Sequence, residues 1–364
     1  MAGQTGNAEP RSSEPRVGSV WTVQAPVQWT QPGQGPCDAV GGEPAPAAAP
    51  VAAVECNPVR RRQRDLPCSE PVVRGEDGCG FGIEPGSAAA YGNGLVTGDY
   101  EARFGGIRRL LGAAAQERLR RAHVCVVGVG GVGSWAVEAL ARSGIGGLTL
   151  VDFDEVCITN VNRQLPALSG QFGRPKVELL AERVRLIQPE AEVRPWQTQF
   201  TARTAAEILA HPYDVVLDAI DRPALKALLI AGCRERNLPV VSSGGAGGRR
   251  DPTQVRVEDL ARVTHDRLLQ ATRKLLRTRH GFPRVPGRPM GVWCVYSPEP
   301  PVFPQPDGSV CGQPAPGVDL RLDCRSGYGT ACYVTGAFGF AAASVVVRLL
   351  VGEVWGTHNA PNRR

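Results

Sequence analysis

The sequence predicts an α/β fold in which helices cover both faces of a mainly parallel sheet, and three observations lead to this class. From residue 100 onward, short apolar runs typical of buried strands alternate with segments of helical periodicity. A glycine-rich turn joins the first of these strands to the first long apolar helix. Helices, rather than tight turns, separate the strands, which requires right-handed crossovers between parallel neighbours. We therefore expect a Rossmann-like sheet.

The predicted strands are short runs of mainly apolar residues, and the predicted helices carry apolar residues at helical spacing. The strands are expected at 123–127, 148–151, 213–217 and 238–242. The helices are expected at 132–142, 176–188, 224–236, 260–279 and 334–347. Pro175 and Pro189 bound the second of these helices. The last one is Gly- and Ala-rich and shorter than a membrane span, so we expect a buried helix and no membrane partner.

Composition divides the chain into a folded part and two flanking segments. Of its 364 residues, 42% are hydrophobic, which is enough for a sizeable core, but 44 are Gly and 31 are Pro. Residues 1–98 show hardly any hydrophobic periodicity, so they cannot bury enough apolar area to offset the entropy cost of ordering. We predict a disordered extension over 1–98, a folded domain over 99–352 and a disordered tail over 353–364.

The cysteine pattern and the net charge limit the cellular compartment and the kinds of binding partner that we expect. The eleven cysteines form no C-x-x-C pair, which argues against a disulfide framework and against a zinc knuckle. Residues 1–98 contain no apolar stretch of signal-peptide length, which argues against secretion. We expect a cytoplasmic protein, with organellar import left open. The net charge of +6 permits a polyanionic partner without requiring one.

The turn after the first predicted strand has the pattern of a nucleotide-binding loop. It contains Gly128, Gly130, Gly131 and Gly133, and glycines there let the backbone approach a phosphate or a ribose at a helix N-terminus. Asp152 follows Gly133 by nineteen residues and ends the next strand, where its carboxylate can accept from ribose hydroxyls. These five residues predict a nucleotide site that fits NAD as well as ATP.

The residues downstream favour a triphosphate. Asp154 leads into a polar segment that contains Asn160 and Arg163, and Lys176 begins a predicted helix. A triphosphate that undergoes substitution at its α-phosphorus needs cations on the developing charge, a role that suits Arg163 and Lys176. Asp221 follows a predicted strand, where a Mg²⁺ carboxylate would lie. We therefore expect ATP and Mg²⁺ as cofactors.

At these residues the sequence resembles the ThiF-type adenylating domain of the ubiquitin-activating-enzyme superfamily, over roughly residues 101 to 350. The resemblance implies that Gly131, Asp152, Asn160 with Arg163, Lys176 and Asp221 bind ATP. It also implies a homodimer in which an arginine of one subunit enters the site of its partner. The family places that arginine before the first strand, where this chain has Arg103, Arg108 and Arg109.

Within the superfamily, four blocks are similar to the bacterial-type tRNA threonylcarbamoyladenosine dehydratases. The blocks lie at 103–106, 134–135, 244–254 and 302–308. The resemblance implies ATP-dependent cyclisation of threonylcarbamoyladenosine beside the tRNA anticodon, through adenylation of its threonyl carboxylate. Two alternatives stay open: an activator of a ubiquitin-like sulfur-carrier protein, and a nucleotide-binding module without turnover. A sulfur-transfer partner is not predicted by any motif.

Two further features bear on the substrate. Residues 249–288 contain eleven Lys or Arg against four Asp or Glu, and much of 260–279 has the pattern of a basic amphipathic helix that could contact RNA phosphates. A solvated helix face explains the same pattern. Cys294 lies where the superfamily can carry a thioester-forming cysteine, but packing within a strand explains it equally well.

Overall fold

The computed structural model describes residues 99–285, 287–315 and 329–352. The extension predicted over 1–98 and the tail predicted over 353–364 lie outside the described residues. The predictions of disorder for these two segments therefore stay predictions.

Seven strands form one sheet. They are β1 His123–Val127, β2 Gly147–Asp152, β3 Glu192–Gln197, β4 Val215–Asp218, β5 Val240–Ser243, β6 Arg256–Asp259 and β7 Trp293–Tyr296. Their order across the sheet is β3-β2-β1-β4-β5-β7-β6, and every neighbouring pair is parallel except the antiparallel pair of β6 with β7. A separate antiparallel pair joins β8 Phe303–Pro304 to β9 Val310–Cys311.

Helices cover both faces of this sheet. They are α1 Tyr100–Leu111, α2 Ala113–Arg121, α3 Gly133–Arg142, α4 Lys176–Ile187, α5 Ala205–Ile208, α6 Pro223–Glu235, α7 Arg267–Arg279 and α8 Cys332–Val351. Strand β1 shows the two faces directly, because its side chains alternate between two cores. Val124 and Val126 pack with α3, α4 and α8, whereas Cys125 and Val127 pack with α6 and α7. The Rossmann-like fold class predicted from the sequence is confirmed.

The basic helix was predicted too long. It begins at Arg267 rather than at residue 260, because His265 has a φ of 58° and Asp266 caps the helix. The Asp266 carboxylate accepts from the backbone N–H of Leu269 at 2.8 Å. Residues 260–266 therefore form a turn that leads into α7.

The predicted helix at 334–347 is longer in the structure, where α8 spans Cys332–Val351. Among the described helices, α8 is the one that is long and apolar enough to cross a membrane, judged by length and composition alone. Its most apolar window is 61% buried within the protein, and Val334, Phe338 and Val345 have no exposed surface. Its packing is therefore that of a core helix, as the sequence predicted.

The strand order places the chain reversal at the centre of the sheet. Strands β2 and β3 lie on one side of β1, and β4 lies on the other. In open parallel sheets a crevice forms at such a switch point, outside the carboxyl ends of the two central strands. The loops that follow β1 and β4 meet there, and the candidate site is built on them.

Candidate active site

The outer glycines of the loop after β1 are required by the fold. A Cβ on Gly128 would lie 2.9 Å from the carbonyl oxygen of Ala219, and Gly128 has a φ of 87°. A Cβ on Gly133 would lie 1.9 Å from the carbonyl oxygen of Gly128. Any side chain at either position would force the backbone to move.

The inner glycines are not required by the packing of the protein. A Cβ on Gly130 would have its nearest neighbour at 3.7 Å, and a Cβ on Gly131 at 3.4 Å, which are ordinary contacts. Glycine at these two positions leaves the backbone uncovered at the crevice, as a ligand that approaches the main chain requires. The packing thus separates two structural glycines from two that face the crevice.

Asp152 ties the glycine loop to the end of β2. Its Oδ2 accepts from the backbone N–H of Val129 at 2.8 Å, and its Oδ1 accepts from that of Asp154 at 2.9 Å. Burial raises the pKa of this carboxyl, and the ammonium of Lys176 together with these backbone donors opposes the rise. Each carboxylate oxygen keeps a lone pair for a further donor such as a ribose hydroxyl.

Lys176 brings a buried cation to the same edge. Its Nζ lies 2.7 Å from Asp154 Oδ2, and its side chain is 5% exposed against 46% for Asp154. Its backbone N–H also donates to the carbonyl of Asp154 at 3.1 Å, which fixes the start of α4 beside the end of β2. The ammonium is therefore held in place by a carboxylate that solvent, or an anionic ligand, can reach.

The polar segment between β2 and α4 folds back onto the glycine loop. Asn160 is buried, and its Oδ1 accepts from the backbone N–H of Cys157 at 3.0 Å, so it shapes the turn. Arg163 lies with its Cγ 3.6 Å from the place of a Gly131 Cβ. Its Nη1 donates to the carbonyl of Thr159 at 2.8 Å. The structure thus brings Arg163 to Gly131.

Gln164 also belongs to this site, although the sequence alone did not predict a role for it. It is 8% exposed, and its Oε1 has no hydrogen-bond partner among the described residues. Its Nε2 lies 3.7 Å from the place of a Gly130 Cβ. A buried amide oxygen without a partner is costly, so it marks a position where a ligand or a water would complete the site. The signal in the sequence was its place directly after Arg163.

Asp221 lies on the loop after β4 and is exposed. No described residue forms an ion pair or a hydrogen bond with its carboxylate, and the described chain contains no cluster of three metal-ligating side chains. A Mg²⁺ ion that is bound mainly through phosphates needs only one or two carboxylates from the protein. A single uncommitted carboxylate at the crevice fits that kind of site.

The arginines of α1 lie away from this crevice. Arg103 donates to Asp99 Oδ2 at 2.7 Å and to the carbonyl of Ile187 at 3.3 Å. Ile187 ends α4, whereas Lys176 begins it, and a helix of this length spans about 18 Å. Arg108 pairs with Glu101 at 3.2 Å, and Arg109 is exposed on the same helix. The structure does not bring these arginines to the glycine loop of their own chain.

Cys294 is a core residue. It has no exposed surface, and its Sγ lies 3.7 Å from the carbonyl of Val292, to which it donates. Burial raises the pKa of the thiol well above its ordinary value. Because the thiolate is the nucleophilic form, this cysteine is unsuited to thioester formation in the described conformation.

Comparison with known proteins adds a family to this geometry. The family model described as the ThiF family matches residues 105–363. The chain is 46% identical to the tRNA threonylcarbamoyladenosine dehydratase of Haemophilus influenzae and 45% identical to that of Escherichia coli. These matches cover 70% and 71% of this chain, and 95% and 97% of the two relatives.

A solved structure of the E. coli tRNA N6-threonylcarbamoyladenosine dehydratase in complex with ATP is also similar. It has a TM-score of 0.62 and 41% sequence identity, over 71% of this chain and 97% of that chain. The similarity thus extends over nearly the whole length of these relatives.

The two kinds of glycine lead to a testable contrast. Gly133→Ala should destabilise the protein by a few kcal/mol, or about 5–10 °C in Tm, because its Cβ would overlap the Gly128 carbonyl. Gly131→Ala should leave Tm within about 2 °C and weaken ATP binding at least about tenfold, measured by calorimetry. Equal losses of Tm in the two variants would contradict the distinction.

Proposed function

The chain belongs to the ThiF family, and from that premise we propose that it is an ATP-dependent tRNA threonylcarbamoyladenosine dehydratase. The enzyme adenylates the threonyl carboxylate of the modified nucleoside, which then closes into cyclic threonylcarbamoyladenosine. One observation carries the proposal: a glycine loop, a carboxylate and a buried cation meet at the sheet switch point in a chain that matches dehydratases over 95% or more of their length. We assign this activity to residues 99–352.

The residues of the crevice divide the first step between them. The uncovered backbone of Gly130 and Gly131 lies against the nucleotide, and Asp152 accepts from its ribose. A threonyl carboxylate oxygen attacks the α-phosphorus, and pyrophosphate leaves. Lys176 and Arg163 stabilise the charge that develops on the phosphates. Mg²⁺, held by Asp221 when bound, supplies further positive charge to the leaving pyrophosphate.

The second step needs orientation more than proton transfer. An atom of the same modification attacks the activated acyl carbon, AMP leaves with one former carboxylate oxygen, and the ring closes with the net loss of one water. The nucleophile and the electrophile belong to the same modified nucleoside, so their correct placement removes much of the activation barrier to ring closure. The absence of a histidine among the described contacts of the crevice is compatible with this chemistry.

We also propose a homodimer. Arg103 lies at the far end of α4 from Lys176, so it can reach a nucleotide only in the site of a second copy. Its present partners, Asp99 and the carbonyl of Ile187, are surface groups that it could exchange for a phosphate. Arg109 is the second candidate for this role.

The tRNA surface that we propose is narrower than the basic stretch of the sequence. Arg273 donates to the carbonyls of Leu260 and Val263, each at 2.8–2.9 Å, and Arg249 is buried with its Nη2 donating to the carbonyl of His265. These two arginines support the fold. Eight other cations of the stretch are exposed and form no ion pair with a described residue. We take four of these eight as the basic surface: Arg262, Lys274, Arg279 and Arg288. We place the reaction in the cytoplasm, since the relatives are bacterial enzymes named for a tRNA substrate.

The function is tested with tRNA that does or does not carry threonylcarbamoyladenosine. Only the tRNA that carries threonylcarbamoyladenosine should cause pyrophosphate release from ATP, and it should do so without a carrier protein. Mass spectrometry should then show that the modified nucleoside has lost the mass of one water. Release that depends on a carrier protein ending in Gly-Gly would favour the sulfur-carrier activator instead. Nucleotide binding without release under either condition would favour a binding module.

Lys176→Ala should lower turnover by about 10²- to 10³-fold, because it removes a cation that acts mainly on transition-state charge. Its effect on Tm should be small, since the Asp154 carboxylate that it leaves behind is half exposed. Arg174→Ala is the matched control, because this neighbouring arginine bonds Gln171 and Glu182. Near-normal pyrophosphate release by Lys176→Ala would show that the site is misplaced.

Replacing Lys274 and Arg279 by Ala should weaken tRNA binding and lower the slope of log Kd against log salt by about 0.7 to 0.9 for each phosphate that is no longer neutralised. Arg121→Ala with Arg194→Ala removes the same charge from α2 and from β3, at the opposite sheet edge to β6. That control should leave the slope unchanged. An equal slope in both double variants would remove the basic surface from the tRNA interface.

A further inference from the structure

A fully buried ion pair lies directly behind the loop that carries Asp221. Lys226 of α6 donates its Nζ to Asp218 Oδ2 at 2.8 Å, and neither side chain is exposed. Ser242 lies opposite Asp218 in the register of β4 and β5, and its hydroxyl donates to the same oxygen at 2.7 Å. The Lys226 ammonium also lies 3.2 Å from Ser242 Oγ. We call Asp218, Lys226 and Ser242 the buried triad.

Stability alone explains the buried triad poorly. Removing two charges from water is costly, and apolar replacements of a buried pair are often neutral or stabilising. Both side chains are fully buried, and their elements also carry apolar residues of one core, among them Val216 of β4 and Leu229 of α6. A charged carboxylate at this place therefore calls for a further role.

The second oxygen of Asp218 indicates that role. Oδ1 accepts from the backbone N–H of Ile220 at 3.1 Å, so the carboxylate holds the loop that follows its own strand. On the other side of this loop, the N–H of Ala219 donates to the carbonyl of Val127 at 2.9 Å. The loop is thus fixed between the buried triad and the end of β1, and Asp221 is its next residue.

We propose that Lys226 is a positioning residue for adenylation: with Ser242 it fixes the Asp218 carboxylate, which holds the Ile220 backbone and so aims Asp221 into the crevice. This role rests on the proposed function only for the task of Asp221. The mechanical part, the restraint of the 219–221 loop, stands on the contacts of the buried triad. Lys226 itself contacts no substrate in this scheme.

Two double variants separate the restraint from the ion pair. Asp218→Asn with Lys226→Met removes both charges but keeps an amide oxygen that can accept from the Ile220 N–H. Asp218→Leu with Lys226→Met removes both charges and the acceptor, and keeps the branched heavy-atom shape of the side chain. Both variants lack an unpaired buried charge, so both are expected to fold. Amide hydrogen exchange at 219–221 is measured without nucleotide, and pyrophosphate release is measured against Mg²⁺ concentration.

The leucine variant should exchange the Ile220 amide at least about tenfold faster than the asparagine variant, and should need about tenfold more Mg²⁺ for half-maximal turnover. Equal exchange and equal Mg²⁺ dependence in the two variants would overturn the positioning role. Should the leucine variant not fold, Ser242→Ala decides, with a several-fold rise in both quantities expected and no change overturning it. A wild-type protein without pyrophosphate release would refute the proposed function, while the exchange comparison would still decide the restraint.

Discussion

The contact between the loop after β1 and the loop after β4 is the constraint on which the site depends. Gly128 approaches the carbonyl of Ala219 so closely that no side chain fits between them. Its N–H donates to the carbonyl of Val151 at 2.8 Å, which ties the same residue to β2. The carboxyl ends of three central strands therefore converge on one glycine. Other residues of the site lie at the same edge of the sheet, at the end of a strand, at the start of a helix and in a loop: Asp152, Lys176 and Asp221.

The two cations of the crevice have partners within the protein. Lys176 is paired with Asp154, and Arg163 donates to the carbonyl of Thr159 and to the side chain of Asn162. These partners are exposed or half-exposed groups that can return to water when phosphates replace them, so the exchange leaves no buried charge unpaired. The Gln164 Oε1 is different, because it lacks a partner in the described structure and gains one only from a ligand or a water.

The sequence predicted the central part of the fold because its signals there are local. The run His123–Val127 is mostly apolar, the glycine turn follows it directly, and Pro175 marks the start of α4. It did not predict β3, whose side chains are mostly exposed and which contains Pro195, a residue that strand propensities disfavour. It also began α7 too early, because the helical periodicity of 260–279 gives no sign of the left-handed conformation that His265 adopts.

The same limit applies to the side chains. Arg249 and Arg273 counted as RNA-binding charges in the sequence, but tertiary contacts commit both of them to backbone carbonyls. Lys226 and Ser242 carry no motif at all: the packing of α6 places Lys226 at Asp218, and the register of β4 with β5 places Ser242 there. Motif spacing can identify the residues that face a ligand. It cannot identify the buried residues that fix the position of those ligand-facing residues.

The central claim is that the carboxylate is activated as an acyl adenylate in this crevice, and the path of its oxygen tests that claim most directly. The tRNA is prepared with ¹⁸O in the threonyl carboxylate of threonylcarbamoyladenosine, and the products of one turnover are analysed by mass spectrometry. The account predicts AMP that carries one ¹⁸O atom, together with unlabelled pyrophosphate. Unlabelled AMP, or ADP with ¹⁸O in inorganic phosphate, would contradict adenylation and show that the carboxylate is activated in another way.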